Sequence, residues 1–169
     1  MVDVEKDLIV KPFKIVQIMR KIERIFVHCT ASSQKASVQS ILAEFRRKGW
    51  RVPGYHWLID KDGKMTQLVD ESIVANGVKG YNSTSIHVAY IGGIDKQHPQ
   101  GIDTRTPDQK AALEILLTQI HLRYPNAKIM GHRDISPDKN GNGKVDSWER
   151  IKNCPCFDAI PEYAHIQND

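Results

Sequence analysis

The chain has 169 residues, of which 40% are hydrophobic and 26% are charged, as in an ordinary globular protein of one domain. No apolar run approaches the roughly 18 residues that a membrane-spanning helix needs, so no membrane segment is expected. The chain starts with acidic residues and lacks the basic beginning and apolar core of a secretory signal, so we expect synthesis in the cytoplasm.

The net charge and the cysteine content indicate which partners and which cysteine chemistry to expect. The net charge of +4 either favours approach to a polyanion such as a cell wall or only aids solubility. The basic residues are scattered and form no nucleic-acid-binding motif, so a nucleic-acid partner is not expected. The cysteines Cys29, Cys154 and Cys156 are odd in number, which argues against a disulfide framework and favours metal ligation or burial.

The first half of the chain alternates between strands and a helix. Residues 24–30 form a β-branched and aromatic run that predicts a buried strand, with His28 and Phe26 on one face. Residues 37–48 carry apolar side chains at helical spacing. Residues 55–59 and 64–68 are strand-like and are joined by an Asp-Gly pair, which predicts a hairpin.

The second half continues the alternation. Residues 86–93 predict a strand, and Thr106 begins a long helix that Pro125 must end. Residues 127–131 predict a short strand that leads into His132. We therefore predict an α/β domain over residues 21–169, with a mixed central sheet flanked by helices, preceded by an extension of uncertain structure over residues 1–20.

Two histidines and a cysteine are candidate zinc ligands. His28 and His132 each stand at the end of a predicted strand, and Cys154 follows a loop. Zinc takes imidazole and thiolate ligands, and a catalytic site keeps one position for water. The three residues are far apart in sequence, so spacing alone leaves open that the histidines are core or loop residues.

A set of motifs in one order resembles the zinc-dependent N-acetylmuramoyl-L-alanine amidases of the phage-lysozyme and peptidoglycan-recognition-protein superfamily. The similarity spans roughly residues 22–158. The motifs are IFVHCTAS, GWRVPGYHWLIDKDG, KGYNSTSIHVAYIGGID, a T-P-x-Q helix start, GHRD and K-x-C-P-x-F.

This resemblance implies roles for five residues. His28, His132 and Cys154 match the zinc ligands, while Tyr55 lies beside the zinc and Lys152 assists catalysis. Members that only bind peptidoglycan typically lack the cysteine ligand. The sequence departs from some phage members, which carry a histidine shortly before K-G-Y-N, because residues 76–79 contain none.

An insert at residues 138–149, DKNGNGKVDSWE, fits the calcium-loop pattern at every specified position. The alternative interpretation is a flexible Asn/Gly turn. A bound Ca²⁺ would order the segment that carries Lys152 and Cys154. The predicted ligands are Asp138, Asn140, Asn142, the Lys144 carbonyl, Asp146 and Glu149.

The sequence is consistent with three functions. The resemblance implies a zinc amidase that cleaves peptidoglycan between N-acetylmuramic acid and L-alanine, either an endolysin or a wall-remodelling enzyme. Such a protein would be a monomer that reaches the wall after holin-type or lytic release. The alternatives are a non-catalytic peptidoglycan-binding module with a structural calcium loop, and a calcium-binding interaction protein that leaves the histidine motifs unexplained.

Overall fold

A mixed sheet of five strands organises the protein, whose computed structural model describes residues 20–167. The predicted extension therefore lies outside the described residues, apart from Arg20. In the sheet order β3-β2-β4-β1-β5, only β3 runs antiparallel to its neighbour, which confirms the predicted mixed sheet. The strands are β1 (Arg24–Cys29), β2 (Trp57–Ile59), β3 (Met65–Gln67), β4 (Ser85–Tyr90) and β5 (Lys128–Gly131).

The two longer helices begin where side chains cap their free amides. In α1 (Val38–Arg47), Ser37 and Ser40 form a reciprocal capping box, and in α2 (Pro107–Arg123), Thr106 and Gln109 form the predicted one. A short α3 (Ala159–Glu162) near the end of the described chain was not predicted. None of the described helices combines the length and apolarity needed to cross a bilayer.

The two faces of the sheet bury separate apolar clusters. On one face, Ile25, Val27 and Cys29 of β1 pack in a core with the apolar side of α2. On the other face, Leu58 and Ala89 pack against α1. The predicted stripe of α2 is fully buried, and it consists of Leu113, Leu116, Leu117 and Ile120. Helices therefore flank the sheet on both sides, as the sequence predicts.

The parallel pairing of β1 with β5 determines where the candidate ligands meet. In this register Val27 lies opposite Gly131, so His28 and His132 follow at adjacent positions on the same edge of the sheet. Parallel strands end at a common edge, and side chains at such an edge commonly line a site. The fold thus brings together two histidines that are distant in sequence.

Gln109 connects α2 to the ends of two strands, and its replacement should cost stability. Its fully buried Nε2 donates to the Ile91 carbonyl at 2.9 Å and to the Ile59 carbonyl at 3.3 Å. Gln109→Ala leaves these carbonyls without this donor, so we expect the free energy of unfolding in urea to fall by about 1–3 kcal/mol. Gln119→Ala, at an exposed position of the same helix, should change it by no more than about 0.5 kcal/mol. Equal losses in the two variants would contradict this role.

Candidate metal centre and catalytic groove

The structure brings His28, His132 and Cys154 together. One ligand atom from each residue lies within 4.8 Å of the other two. Nδ1 of His28 is 3.7 Å from Sγ of Cys154, and the His28 and His132 rings are 5.0 Å apart. Ligand atoms around a tetrahedral zinc ion are roughly 3.3–3.6 Å apart, given its bond lengths of about 2.0–2.3 Å. This donor set of two imidazoles and one thiol has the chemistry of a zinc site, and the 3.7 Å between His28 and Cys154 is close to the spacing around a bound ion.

Backbone hydrogen bonds place Cys154 at the end of β1. The amide of Cys29 donates to Sγ of Cys154 at 3.3 Å, and the amide of Arg133 donates to the Cys154 carbonyl at 2.8 Å. The next residue is also held, because the Tyr90 hydroxyl donates to the Pro155 carbonyl at 2.7 Å. The cysteine is thus attached to β1, which carries His28, and to the turn after β5 that carries His132.

Both imidazoles are held in the neutral form that a metal ligand requires. Burial, and then the neighbouring His87 and His132 rings, lower the pKa of His28 well below its ordinary value. Burial, and then the Lys152 ammonium, lower the pKa of His132 to about 4. Protons therefore do not compete with a metal for either ring near neutral pH.

The other two cysteines lie beside the centre but are not part of the ligand group. Sγ of Cys156 is 3.8 Å from Sγ of Cys29 and 3.5 Å from the Gly93 carbonyl. Cys29 is buried, as predicted, and its contact with Cys154 is the largest cause that raises its pKa to about 12. The two sulfurs of the Cys-Pro-Cys sequence thus have different surroundings.

Tyr55 and Lys152 line the same groove, of about 310 Å³, as the three candidate ligands. The Tyr55 ring packs against His28 at 5.2 Å and Phe45 at 5.3 Å, and its hydroxyl donates to the Cys29 carbonyl at 3.4 Å. Burial raises the pKa of Tyr55 well above its ordinary value, so it remains a hydrogen-bond donor. Lys152 is exposed, so its ammonium can move toward a bound substrate.

Sequence reasoning assigned two further histidines only to strands, yet they lie buried directly behind His28. Nε2 of His28 is 3.0 Å from Nδ1 of His87, and the His87 ring stacks on the His56 ring. All three rings are almost completely buried. Their alternation along strands was visible in the sequence, but the order of those strands in the sheet was not.

The calcium-loop insert folds around its own carboxylates. Asp138 accepts from the amides of Gly141, Asn142 and Gly143, and Glu149, only 1% exposed, accepts from three amides of the loop. Within residues 20–167, His28, His132 and Cys154 are the only group in which three His, Cys, Asp or Glu ligand atoms converge as closely. Calcium in the loop therefore stays a prediction.

Comparison with known proteins agrees with the motifs. The family described as N-acetylmuramoyl-L-alanine amidase matches residues 19–155. The endolysin of Klebsiella phage KP32 is 37% identical over 138 residues, which cover 80% of this chain and 81% of that protein.

Solved structures show the same fold. The amidase LysC from Clostridium intestinale has a TM-score of 0.66 at 21% identity, covering 89% of this chain and 88% of that chain. Wild-type Drosophila PGRP-LB has a TM-score of 0.60 at 16% identity, covering 86% and 81%. These likenesses confirm the amidase and peptidoglycan-recognition-protein fold, and with the family match and the phage relative they show that this chain belongs to the N-acetylmuramoyl-L-alanine amidase family.

Proposed function

We propose that this chain is a zinc-dependent hydrolase that cleaves the amide between the lactyl group of N-acetylmuramic acid and L-alanine in peptidoglycan. Family membership supports the reaction class, and the convergence of His28, His132 and Cys154 carries the metal dependence. The KP32 relative is named an endolysin, and the same role fits here. The enzyme would then be made in the cytoplasm and reach the wall after holin-type or lytic release.

The three ligands would hold zinc through Nδ1 of His28, the His132 ring and the Cys154 sulfur. When bound, zinc supplies an acidified water and polarises the scissile carbonyl. Two neutral imidazoles and one thiolate leave the centre with a net charge of +1. This charge allows a polar carbonyl to approach while it moderates the Lewis acidity of the ion.

Tyr55 and Lys152 would bind and stabilise the reacting carbonyl. Both line the groove beside the ligands, one as a neutral phenol and the other as an exposed ammonium. Each can donate to the carbonyl oxygen as negative charge develops on it, a contribution worth about 3–4 kcal/mol per well-placed donor. The half-buried Tyr55 ring is held in place, and its hydroxyl would turn from the Cys29 carbonyl to the substrate, whereas the exposed Lys152 side chain can move as a whole.

Removal of the thiol should abolish metal binding and hydrolysis together. Cys154→Ser is expected to weaken zinc binding by more than about 100-fold, the upper end of what loss of a residue supporting a ligand costs. Elemental analysis should find one zinc per wild-type chain and little in the variant. Mass spectrometry of digested peptidoglycan should find the free L-alanine amine only with wild type. Cys156→Ser is the matched control and should retain both, and full hydrolysis by Cys154→Ser would refute the proposal.

Substitution of Lys152 tests catalysis separately from zinc binding. Lys152→Ala should keep zinc, since Lys152 is not a ligand, but should lower kcat about 10²–10³-fold through loss of a carbonyl donor. The control is Lys128→Ala, which removes a positive charge at the start of β5, the end away from the groove, and should leave kcat unchanged.

If wild type binds peptidoglycan and zinc but releases no muropeptide, the chain is a binding module instead. Equal kcat in the two variants would exclude a catalytic role for Lys152.

We further propose that the insert binds calcium and orders the segment before Lys152. At a free concentration of about 100 Kd, calcium should stabilise the folded chain by about 2.7 kcal/mol, which thermal unfolding detects as a higher Tm. The zinc-loaded protein should be used, with magnesium as the control ion. Glu149→Gln should remove the calcium-dependent shift while the zinc content stays the same. An unchanged Tm on adding calcium to wild type would rule this site out.

A further inference from the structure

The two nitrogens of His28 face different partners. Nδ1 faces Sγ of Cys154 in the candidate metal centre, and Nε2 lies 3.0 Å from Nδ1 of His87 on the neighbouring strand. Both residues are buried, with exposures of 1% and 0%. The second contact therefore lies beneath the groove, where neither substrate nor solvent reaches it.

The chemistry of a metal-bound imidazole determines which nitrogen carries the proton in the contact between His28 and His87. A metal-bound Nδ1 uses its lone pair for the ion, so the proton of His28 must be on Nε2 and must be donated to an acceptor. Nδ1 of His87 is that acceptor, which places the proton of His87 on its own Nε2. That atom is buried and has no hydrogen-bond partner among the described residues.

The unpaired N–H of His87 would lower the stability of the folded protein without benefit if His87 only filled the core. A buried N–H without an acceptor costs about 1–3 kcal/mol, which an aliphatic side chain of similar volume would avoid. Packing alone therefore does not account for an imidazole at position 87. Acceptance of the His28 proton is the one polar contact that the His87 ring makes in the described structure.

The surroundings of His87 hold its ring in one orientation. The ring lies between Phe26, at 5.6 Å and 6° between planes, and His56, at 5.8 Å and 9°. The backbone amide of His87 donates to Nδ1 of His56, and the amide of His56 donates to the His87 carbonyl. Nε2 of His56 lies 2.9 Å from the Ile73 carbonyl. With both faces covered, the acceptor nitrogen stays directed at His28.

The loop before Lys79 leaves room for this ring. A Cβ built on Gly77 would lie 2.3 Å from Nδ1 of His87, closer than any real contact, so residue 77 cannot carry a side chain here. This is the loop in which some resembling phage enzymes carry a histidine and this chain carries none. In this chain the buried imidazole is on β4, and Gly77 places no side chain beside it.

We propose that His87 is a positioning residue whose Nδ1 accepts the Nε2 proton of His28 and so holds His28 in the tautomer and orientation that present Nδ1 to the metal. This role rests on the zinc dependence proposed above. A neutral imidazole suits it, because a carboxylate in its place would cancel one more positive charge at the centre. Gly77 supports this role, because its lack of a side chain leaves space for the His87 ring.

Two substitutions at one position separate hydrogen bonding from packing. His87→Leu fills the space without an acceptor, whereas the side-chain oxygen of His87→Asn can occupy the position of Nδ1. In competition with a chromophoric chelator, His87→Leu should bind zinc about 10–100-fold more weakly than wild type, and His87→Asn should recover most of that loss. In thermal unfolding, zinc-free His87→Leu should be about as stable as zinc-free wild type, because the unpaired buried Nε2 of His87 is replaced by an unpaired buried Nε2 of His28.

The outcomes distinguish this inference from the proposed function. If wild type binds no zinc, the proposed function fails and this inference with it. If wild type binds zinc and folded His87→Leu binds it equally well, only the role of His87 is overturned.

Should His87→Leu not fold, ¹⁵N NMR of zinc-loaded wild type decides. It should detect a coupling across the hydrogen bond between Nε2 of His28 and Nδ1 of His87. A protonated Nδ1 on His87, or no coupling, would overturn the inference.

Discussion

The parallel contact between β1 and β5 is the constraint on which the candidate centre depends. It sets His28 and His132 side by side at one edge of the sheet, a placement that no local feature of either segment produces. Cys154 then completes the group because it is attached to β1 and to the turn that follows β5, through the amides of Cys29 and Arg133. The donor set is therefore a property of the sheet topology, and the groove forms around it.

Burial around this edge has a direct electrostatic effect. The rings of His28 and His87 pack against other aromatic and imidazole rings. No carboxylate forms a hydrogen bond with His28, His56 or His87 in the described structure. Desolvation therefore lowers the pKa of His28, His87 and His132 without a compensating negative partner, which keeps these rings neutral. The Lys152 ammonium acts in the same direction on His28 and His132. The groove thus combines a neutral ligand set with a positive group at its rim.

Local patterns predicted most of the fold. The Thr106 capping box and the apolar stripe after it predicted α2. The Asp-Gly pair ending at Gly63 predicted the hairpin, and the positive φ of 79° at this position suits a glycine. The predicted strand over residues 86–93 ends earlier, at Tyr90, because Gly92 and Gly93 adopt positive φ and leave the extended form. The short α3 contains Pro161 and has no apolar periodicity long enough to predict a helix.

The candidate site was predictable only in part. Ordered motifs led to His28, His132 and Cys154, while their spacing alone did not. His56 and His87 lie within the ordered motifs, but the motifs assign them no role. Their contact with each other and with His28 depends on β4 lying between β2 and β1, which is a long-range feature of the sheet. The empty space that Gly77 leaves for the His87 ring is equally invisible in a linear sequence.

The position of Cys154 far along the chain has a mechanical consequence. His28 and Cys154 are separated by 126 residues, so an ion held by both would act as a cross-link that closes nearly the whole domain into a ring. Closure of a long loop restricts the unfolded chain strongly, as a disulfide between distant cysteines does. Loading the ion would then make the protein more resistant to unfolding and proteolysis.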